Sequence, residues 1–171
     1  MHAVVVYESM YGNTHTIAEC LGDGLRSAFD TTVVPVSEAT TELVEDAQLV
    51  VVGGPTHVHS LSRAATRKAA IDAARSKALQ VDASARGPGL RDWFTALRPR
   101  DHATAVTFDT RVRRPVSMTG RAARGITQRL RRCGFRDIRD AGSFFVDKNN
   151  ELLPGEAERA VAWARAFVDS L

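Results

Sequence analysis

A short polar segment near the N-terminus combines hydroxyl and amide side chains with one glycine. It reads Ser9-Met10-Tyr11-Gly12-Asn13-Thr14 and lies between an apolar run and an amphipathic segment. Free backbone N–H groups at a helix N-terminus, together with the helix dipole, favour an anion, and the side chains add donors. Gly12 lets the backbone approach a ligand closely. The segment predicts a phosphate-binding loop; a helix cap that binds nothing is the alternative.

Two common kinds of phosphate loop do not match this segment. The dinucleotide-binding fingerprint requires three spaced glycines, and the P-loop requires Gly-Lys followed by Ser or Thr. The segment has one glycine and no lysine. The predicted phosphate loop therefore belongs to another class.

The elements around this loop predict alternating strands and helices. Apolar, β-branched runs at Ala3 to Tyr7 and Ala47 to Val52 are typical of strands covered on both faces of a parallel sheet. A helix over Thr14 to Phe29 separates the first from a weaker strand, Thr31 to Val36, whose Pro35 indicates a sheet edge.

The same alternation continues to the C-terminus. A strand is predicted at Ala103 to Phe108, followed by a helix over Gly120 to Arg132 that Gly134 closes. An interrupted strand at Phe135 to Val146 and a final helix from Glu156 complete the pattern. We expect one domain over residues 1–171, an α/β/α sandwich with a doubly wound, five-stranded parallel sheet. The long crossover from Gly53 to His102, with a helix over Ser62 to Gln80, either covers a site or decorates the fold.

The segment from Val5 to Leu21 closely resembles the flavodoxin signature. It reads VVYESMYGNTHTIAECL: an apolar pair, an aromatic residue, Ser, a small residue, then Thr, Ala and an apolar residue. The resemblance implies strand order 2-1-3-4-5 and non-covalent FMN, whose phosphate is held by Ser9, Met10, Tyr11, Gly12, Asn13 and Thr14. The chain is similar to a basic variant of this family, of actinobacterial type.

The resemblance also implies two loops that flank the flavin ring. The first ring loop contributes Pro55, Thr56, His57 and Val58, and the second contributes Phe108, Asp109, Thr110 and Arg111. Neither loop carries the Trp or Tyr that stacks on the ring in electron-carrier flavodoxins, so His57 is the stacking candidate and Tyr11 is expected nearby. His57 and His59 lack accompanying Cys or carboxylate ligands, so no metal is predicted. Asp109 is a candidate general acid or base, or a turn cap.

Arginine dominates the charge of the second half. The net charge is +3 and the pI is about 9.2. The segment from Arg111 to Arg139 contains ten arginines and a single acidic residue, Asp137. If Arg111, Arg113 and Arg114 lie near the ring, they should stabilise anionic flavin and raise its potential. We expect an acidic partner protein or an anionic electron acceptor. A solvated helix face is the alternative, and nucleic acid is disfavoured because no binding motif accompanies the arginines.

The leading hypothesis is an FMN-binding redox protein that transfers electrons through its flavin. A flavodoxin-fold NAD(P)H:quinone-type or protoporphyrinogen-type oxidoreductase would use the same loop, with the segment up to Trp93 and Phe94 shaping a substrate pocket. A flavin-free binding or regulatory domain is the alternative from another class. Cys20 and Cys133 are expected on opposite faces of the sheet without a disulfide, and we expect a cytoplasmic monomer without membrane insertion.

Overall fold

The computed structural model describes residues 1–56, 61–76, 79–97 and 103–171. Its centre is a five-stranded parallel sheet with the order β2-β1-β3-β4-β5, which confirms the predicted fold and strand order. The strands are β1 (His2–Tyr7), β2 (Asp30–Pro35), β3 (Leu49–Pro55), β4 (Thr104–Val112) and β5 (Ile138–Val146).

The middle of the sheet is buried because its strands are continuous runs of apolar residues. The valines of β1 and β3 are all nearly inaccessible to solvent. Such runs suit a strand covered by helices on both faces. β2 lies at one edge and ends at Pro35, as expected for a residue that cannot donate to a sheet ladder.

Two layers of helices cover the sheet. The helices are α1 (Asn13–Leu25), α2 (Thr41–Glu45), α3 (Ala64–Ser76), α4 (Leu90–Ala96), α5 (Val116–Thr119), α6 (Ala122–Arg132) and α7 (Glu156–Asp169), with a 3-10 turn at Ala83–Arg86. Helices α1 and α7 bury one apolar cluster, and α4 and α6 bury the other. Cys20 packs against the first cluster and Cys133 lies in the second, so they are on opposite faces of the sheet as predicted, and both are free thiols.

Several boundaries differ from the sequence predictions. β4 continues to Val112 instead of ending at Phe108, β5 begins only at Ile138, and α3 is shorter than the predicted helix. The interruption in β5 is a register shift opposite Thr107 and Phe108, where Gly142 adopts a φ of 93°. Helix α2 was not predicted. Among the described residues, none of the helices has the length and apolar character that crossing a bilayer requires.

Candidate functional site

A cavity of about 220 Å³ lies at the carboxyl ends of the central strands. This is the edge at which strand order reverses between β1 and β3, the usual position of ligands in open α/β sheets. Its walls come from the loop before α1, the ends of β3, β4 and β5, and helix α3. The lining residues are Met10, Tyr11, Asn13, Thr14, Pro55, Thr56, Ala70, Thr110, Arg111, Val112, Val146 and Asn150.

The loop before α1 presents backbone N–H groups that lack acceptors. Gly12 has a φ of 90°, a left-handed conformation that glycine adopts without strain, and its N–H donates to Ser9 Oγ at 3.1 Å. In the described part of the chain, no acceptor is found for the backbone N–H groups of Tyr11, Asn13 and Thr14. These groups lie at or next to the N-terminus of a 13-residue helix, where they favour an anion.

Side-chain hydrogen bonds fix this loop to three other elements. The hydroxyls of Thr14 and Thr110 are 2.7 Å apart, which joins the loop to β4. Asn13 Nδ2 donates to the backbone oxygen of Asn150 at 2.7 Å, and the Tyr11 hydroxyl donates to the backbone oxygen of Ala70 on α3 at 3.0 Å. The loop is therefore held in one conformation from several sides of the cavity.

The long middle crossover is anchored to the end of β1 by a buried polar network. Glu8 accepts hydrogen bonds from the Ser62 hydroxyl and, at 2.8 Å, from the backbone N–H of Leu90. Arg67, also buried, donates to Ser62 Oγ and to Asp92 Oδ2, both at 3.3 Å. Because Ala70 of the same crossover lines the cavity, this network positions α3 against the site.

Arg111 is the cationic side chain of the cavity wall. Its Nε donates to Ser143 Oγ at 2.9 Å, and its Nη1 donates to Arg114 O at 2.6 Å and to Thr119 Oγ1 at 3.0 Å. The guanidinium carbon also lies 4.9 Å from the centre of the Phe145 ring. Burial lowers the pKa of Arg111, partly opposed by the charge of Asp109. Arg113 and Arg114 are exposed and do not line the cavity.

Asp109 points away from the cavity, towards α6. Its carboxylate is fully buried, and Oδ2 accepts from the backbone N–H of Ala123 at 2.9 Å and lies 3.8 Å from Arg121 Nε. Among the described residues, neither Asp109 Oδ1 nor Arg121 Nε has a hydrogen-bond partner. Burial raises the pKa of Asp109, although Ser143, Ala123 and Arg121 act in the opposite direction.

A second groove lies on the outer side of the loop. The His15 ring stacks on Tyr7 with a centroid distance of 4.6 Å, and His15 Nδ1 lies 3.3 Å from Asp82 Oδ2. Asp82 N also donates to Met10 O at 2.9 Å. Burial acts to raise the pKa of Asp82, but the hydroxyl and N–H of Ser84 and the charge of His15 lower it overall. This contact supports the loop from the side opposite the cavity.

The structure brings most of the sequence-predicted site residues to the cavity. The predicted residues that line it are Met10, Tyr11, Asn13, Thr14, Pro55, Thr56, Thr110 and Arg111. Ser9 is buried beneath the loop, and Gly12 lines the outer groove instead. Phe108 is buried in the core against Phe144, and Asp109 faces α6. His57 and Val58, like His59, lie outside the described residues.

Four lining residues were not predicted. These are Ala70, Val112, Val146 and Asn150. Val112 and Val146 are the last residues of β4 and β5, so the rule that ligands lie beyond strand ends could have indicated them. Trp93 and Phe94, proposed as walls of a substrate pocket, are buried in the core with Trp93 Nε1 donating to Ala39 O, and they do not line the cavity.

Comparison with known proteins agrees with this geometry. The model of the family described as Flavodoxin matches residues 5–85, just under half of the chain. Solved structures of the same fold include a flavodoxin of Streptococcus pneumonia TIGR4, with a TM-score of 0.66, 15% identity and 100% of both chains covered. No curated protein matches the sequence.

Two further structures extend the comparison. Oxidised Flavodoxin 1 from Bacillus cereus has a TM-score of 0.65 and 14% identity, covering 100% of this chain and 99% of that one. A flavodoxin, WrbA-like protein from Agrobacterium tumefaciens has a TM-score of 0.58 and 18% identity, covering 99% and 96%. The chain thus has the flavodoxin-like α/β fold.

Proposed function

We propose that residues 1–171 form one flavodoxin-like domain that binds FMN non-covalently in the cavity and transfers electrons through it. The observation that carries the proposal is the set of backbone N–H groups without described acceptors at Tyr11, Asn13 and Thr14. The three residues lie at or next to the N-terminus of α1 and line the cavity at the strand-order reversal. A phosphate group satisfies such donors and interacts favourably with the helix dipole.

The donor set of the cavity suits the remainder of the flavin nucleotide. Polar walls come from Asn13 and from the threonines at positions 14, 56 and 110, while Pro55, Val112 and Val146 supply apolar walls. The volume of about 220 Å³ is below the roughly 300–1,000 Å³ typical of small-molecule sites. The described lining residues would therefore hold the phosphate and ribityl chain, and the two ring loops would hold the ring.

The protein would contribute binding, orientation and charge, and the bound flavin would supply the electron transfer. Thr14 and the loop N–H groups would hold the phosphate. Arg111, which its hydrogen bonds keep in the wall, would contribute a positive charge that favours the anionic, reduced form of the flavin. Asp109 is directed towards α6, so no acid or base role at the cavity is assigned to it.

The proposed partner is an acidic redox protein or an anionic acceptor, and the proposed working form is a cytoplasmic monomer. The arginine-rich, lysine-poor composition supports a basic, actinobacterial-type variant, since only three of the 23 basic residues are lysine. An NAD(P)H:quinone-type oxidoreductase would place a substrate beside the flavin, but Trp93 and Phe94 do not contribute to such a pocket.

The proposal is tested first by a visible spectrum of the purified protein. The protein is then titrated with FMN while the flavin fluorescence is measured. We expect the absorption bands of oxidised flavin, or saturable quenching that Ser9→Ala/Thr14→Ala weakens. Thr16→Ala is the matched control, because its exposed hydroxyl donates to the backbone oxygen of the N-cap residue Gly12 and Thr16 does not line the cavity. A colourless protein that does not quench FMN would instead indicate a binding or regulatory domain without flavin. Steady NAD(P)H oxidation with a quinone would favour the enzyme.

A further inference from the structure

The loop between β4 and α6 exposes an apolar side chain beside the cavity. The side chain of Met118, on the short helix α5, is 56% exposed. The other large hydrophobic residues that are exposed in the described part of the chain are Met1 and Leu171, at the termini. Methionine is over-represented at surfaces that bind other proteins, because its flexible, polarisable side chain adapts to a partner.

Three exposed arginines accompany Met118. Arg113 and Arg114 precede it on the loop, and Arg124 follows in the first turn of α6. The sequence contains no Asp or Glu between Thr110 and Arg136. None of the three guanidinium groups has an acidic partner among the described residues. We call Arg113, Arg114, Met118 and Arg124 the basic surface.

The position of Arg124 is unfavourable for the helix itself. A cation in the first turn is repelled by the positive end of the helix dipole, and α6 has no acidic residue there to compensate. Arg129, Arg131 and Arg132 occupy the last turn, where the same dipole stabilises them. Stabilisation of the helix therefore explains the positions of the arginines in the last turn, but it does not explain the position of Arg124.

Arg111 connects the basic surface to the cavity. Its Nη1 donates to Arg114 O and Thr119 Oγ1, at either end of the loop that carries Met118. The same side chain lines the cavity and is fixed to Ser143 on β5. The loop is thus pre-organised, which reduces the entropy lost when a partner binds.

We propose that the basic surface is the docking site for an acidic protein, with Met118 as its apolar anchor and the arginines as its charged rim. This proposal rests on the proposed function, because docking beside the cavity would bring the partner's redox centre close to the flavin. Complementary charge would steer the encounter and orient the partner. A nucleic acid is less suited, since the described residues include no exposed Phe, Tyr or Trp near Met118 for base stacking.

Binding of a plant-type ferredoxin, a strongly acidic iron–sulfur protein, tests the docking site without requiring electron transfer. The purified protein is titrated with oxidised ferredoxin by calorimetry at low and high salt. Arg113→Gln/Arg114→Gln/Arg124→Gln should weaken binding by about tenfold or more, and high salt should weaken wild-type binding similarly. Met118→Ser should weaken it at both salt concentrations, because burial of the anchor is insensitive to salt.

The matched control removes three exposed arginines elsewhere, as Arg75→Gln/Arg86→Gln/Arg165→Gln. It should leave ferredoxin binding within about twofold of wild type, since steering depends on local charge. Equal losses in the two triple variants, or no binding by wild type, would overturn the proposal. The proposal would also be overturned if wild type bound a short DNA duplex more tightly than ferredoxin and the Arg113→Gln/Arg114→Gln/Arg124→Gln variant did not bind the duplex. That result would indicate a nucleic-acid surface.

Failure of the proposed function gives a different result. FMN quenching is measured on the same variants, and each should bind FMN as wild type does because none of the substituted residues lines the cavity. With FMN bound, electron transfer from reduced ferredoxin should slow as salt rises and slow further in the first triple variant. Ferredoxin binding without any FMN binding would contradict the redox function while leaving the docking site in place.

Discussion

The hydroxyls of Thr14 on α1 and Thr110 on β4 are hydrogen-bonded at 2.7 Å in the wall of the cavity. Both side chains are buried, so the bond joins the loop that would hold a phosphate to the strand that would approach the ring. The two halves of the site are therefore set relative to each other by the protein before any ligand binds.

Thr14→Ala should weaken FMN binding by about tenfold or more, because a hydrogen bond to a charged phosphate is worth roughly 1.5–3 kcal/mol. Fluorescence titration measures the change. Thr110→Ser, which retains a hydroxyl, should bind FMN nearly as wild type does. If Thr14→Ala bound FMN with unchanged affinity, the phosphate could not lie at this loop.

Arg111→Gln should lower the midpoint potential of bound FMN by about 30–60 mV, since removing a half-buried positive charge destabilises reduced, anionic flavin. The wild-type potential should not lie well below that of free FMN. Potentials are read from spectra during reductive titration against reference dyes. Arg113→Gln, whose side chain is exposed outside the cavity, should leave the potential nearly unchanged; an equal shift in both variants would contradict a specific role for Arg111.

Asp109→Asn should change how stability depends on pH. Burial raises the pKa of Asp109 in the folded protein above its usual value of 3.8, so the folded state holds this proton more tightly than the unfolded state. The contribution of Asp109 is most favourable below pH 3.8 and is lost as pH rises through the folded pKa. Relative to wild type, the variant should therefore become more stable as pH rises through this range.

Urea unfolding of wild type and Asp109→Asn at a series of pH values measures this difference. Asp140→Asn is the control, because that carboxylate is about half exposed and pairs with the same Arg121. A stability difference that stays constant with pH would show that Asp109 does not change its proton affinity on folding.

Gly24→Ala should destabilise the fold by about 1–3 kcal/mol. A Cβ at this position would lie 2.5 Å from Ala164 Cβ and 2.7 Å from Val161 O, so α1 and α7 would have to separate. Gly125→Ala in α6 is the matched control, since its nearest neighbours would be 3.5 Å away. That substitution should stabilise the protein by up to about 1 kcal/mol through helix propensity, as urea unfolding would show.

The sequence was most informative where local pattern and fold agree. The valine runs of β1 and β3 and the proline of β2 predicted the centre and edge of the sheet, and the order of strands followed from the resemblance. The residue types of Ser9 to Thr14 also predicted a phosphate-binding loop, and the binding itself stays a prediction. Each of these features depends on a short segment, and the residue types within that segment decide whether it is buried or exposed.

The prediction was weaker where neighbouring residues in a strand face opposite sides. Because the strand predicted at Ala103 to Phe108 continues to Val112, its alternation extends through Asp109 and Thr110. Thr110 therefore faces the cavity while Asp109 faces α6. Ala70 and Asn150 reach the cavity only through the packing of α3 and the turn after β5, which the sequence pattern does not encode.

Arg111 takes part in two structures at once, the cavity wall and the loop that carries Met118. A ligand that changes how this guanidinium is held in the cavity must also change the free energy of opening the loop, and such coupling acts equally in both directions. Amide hydrogen exchange at Met118, Thr119 and Gly120, whose N–H groups close the α5 turn, should then report on occupancy of the cavity. Conversely, a protein bound to the loop would alter the affinity of the distant phosphate loop for its anion.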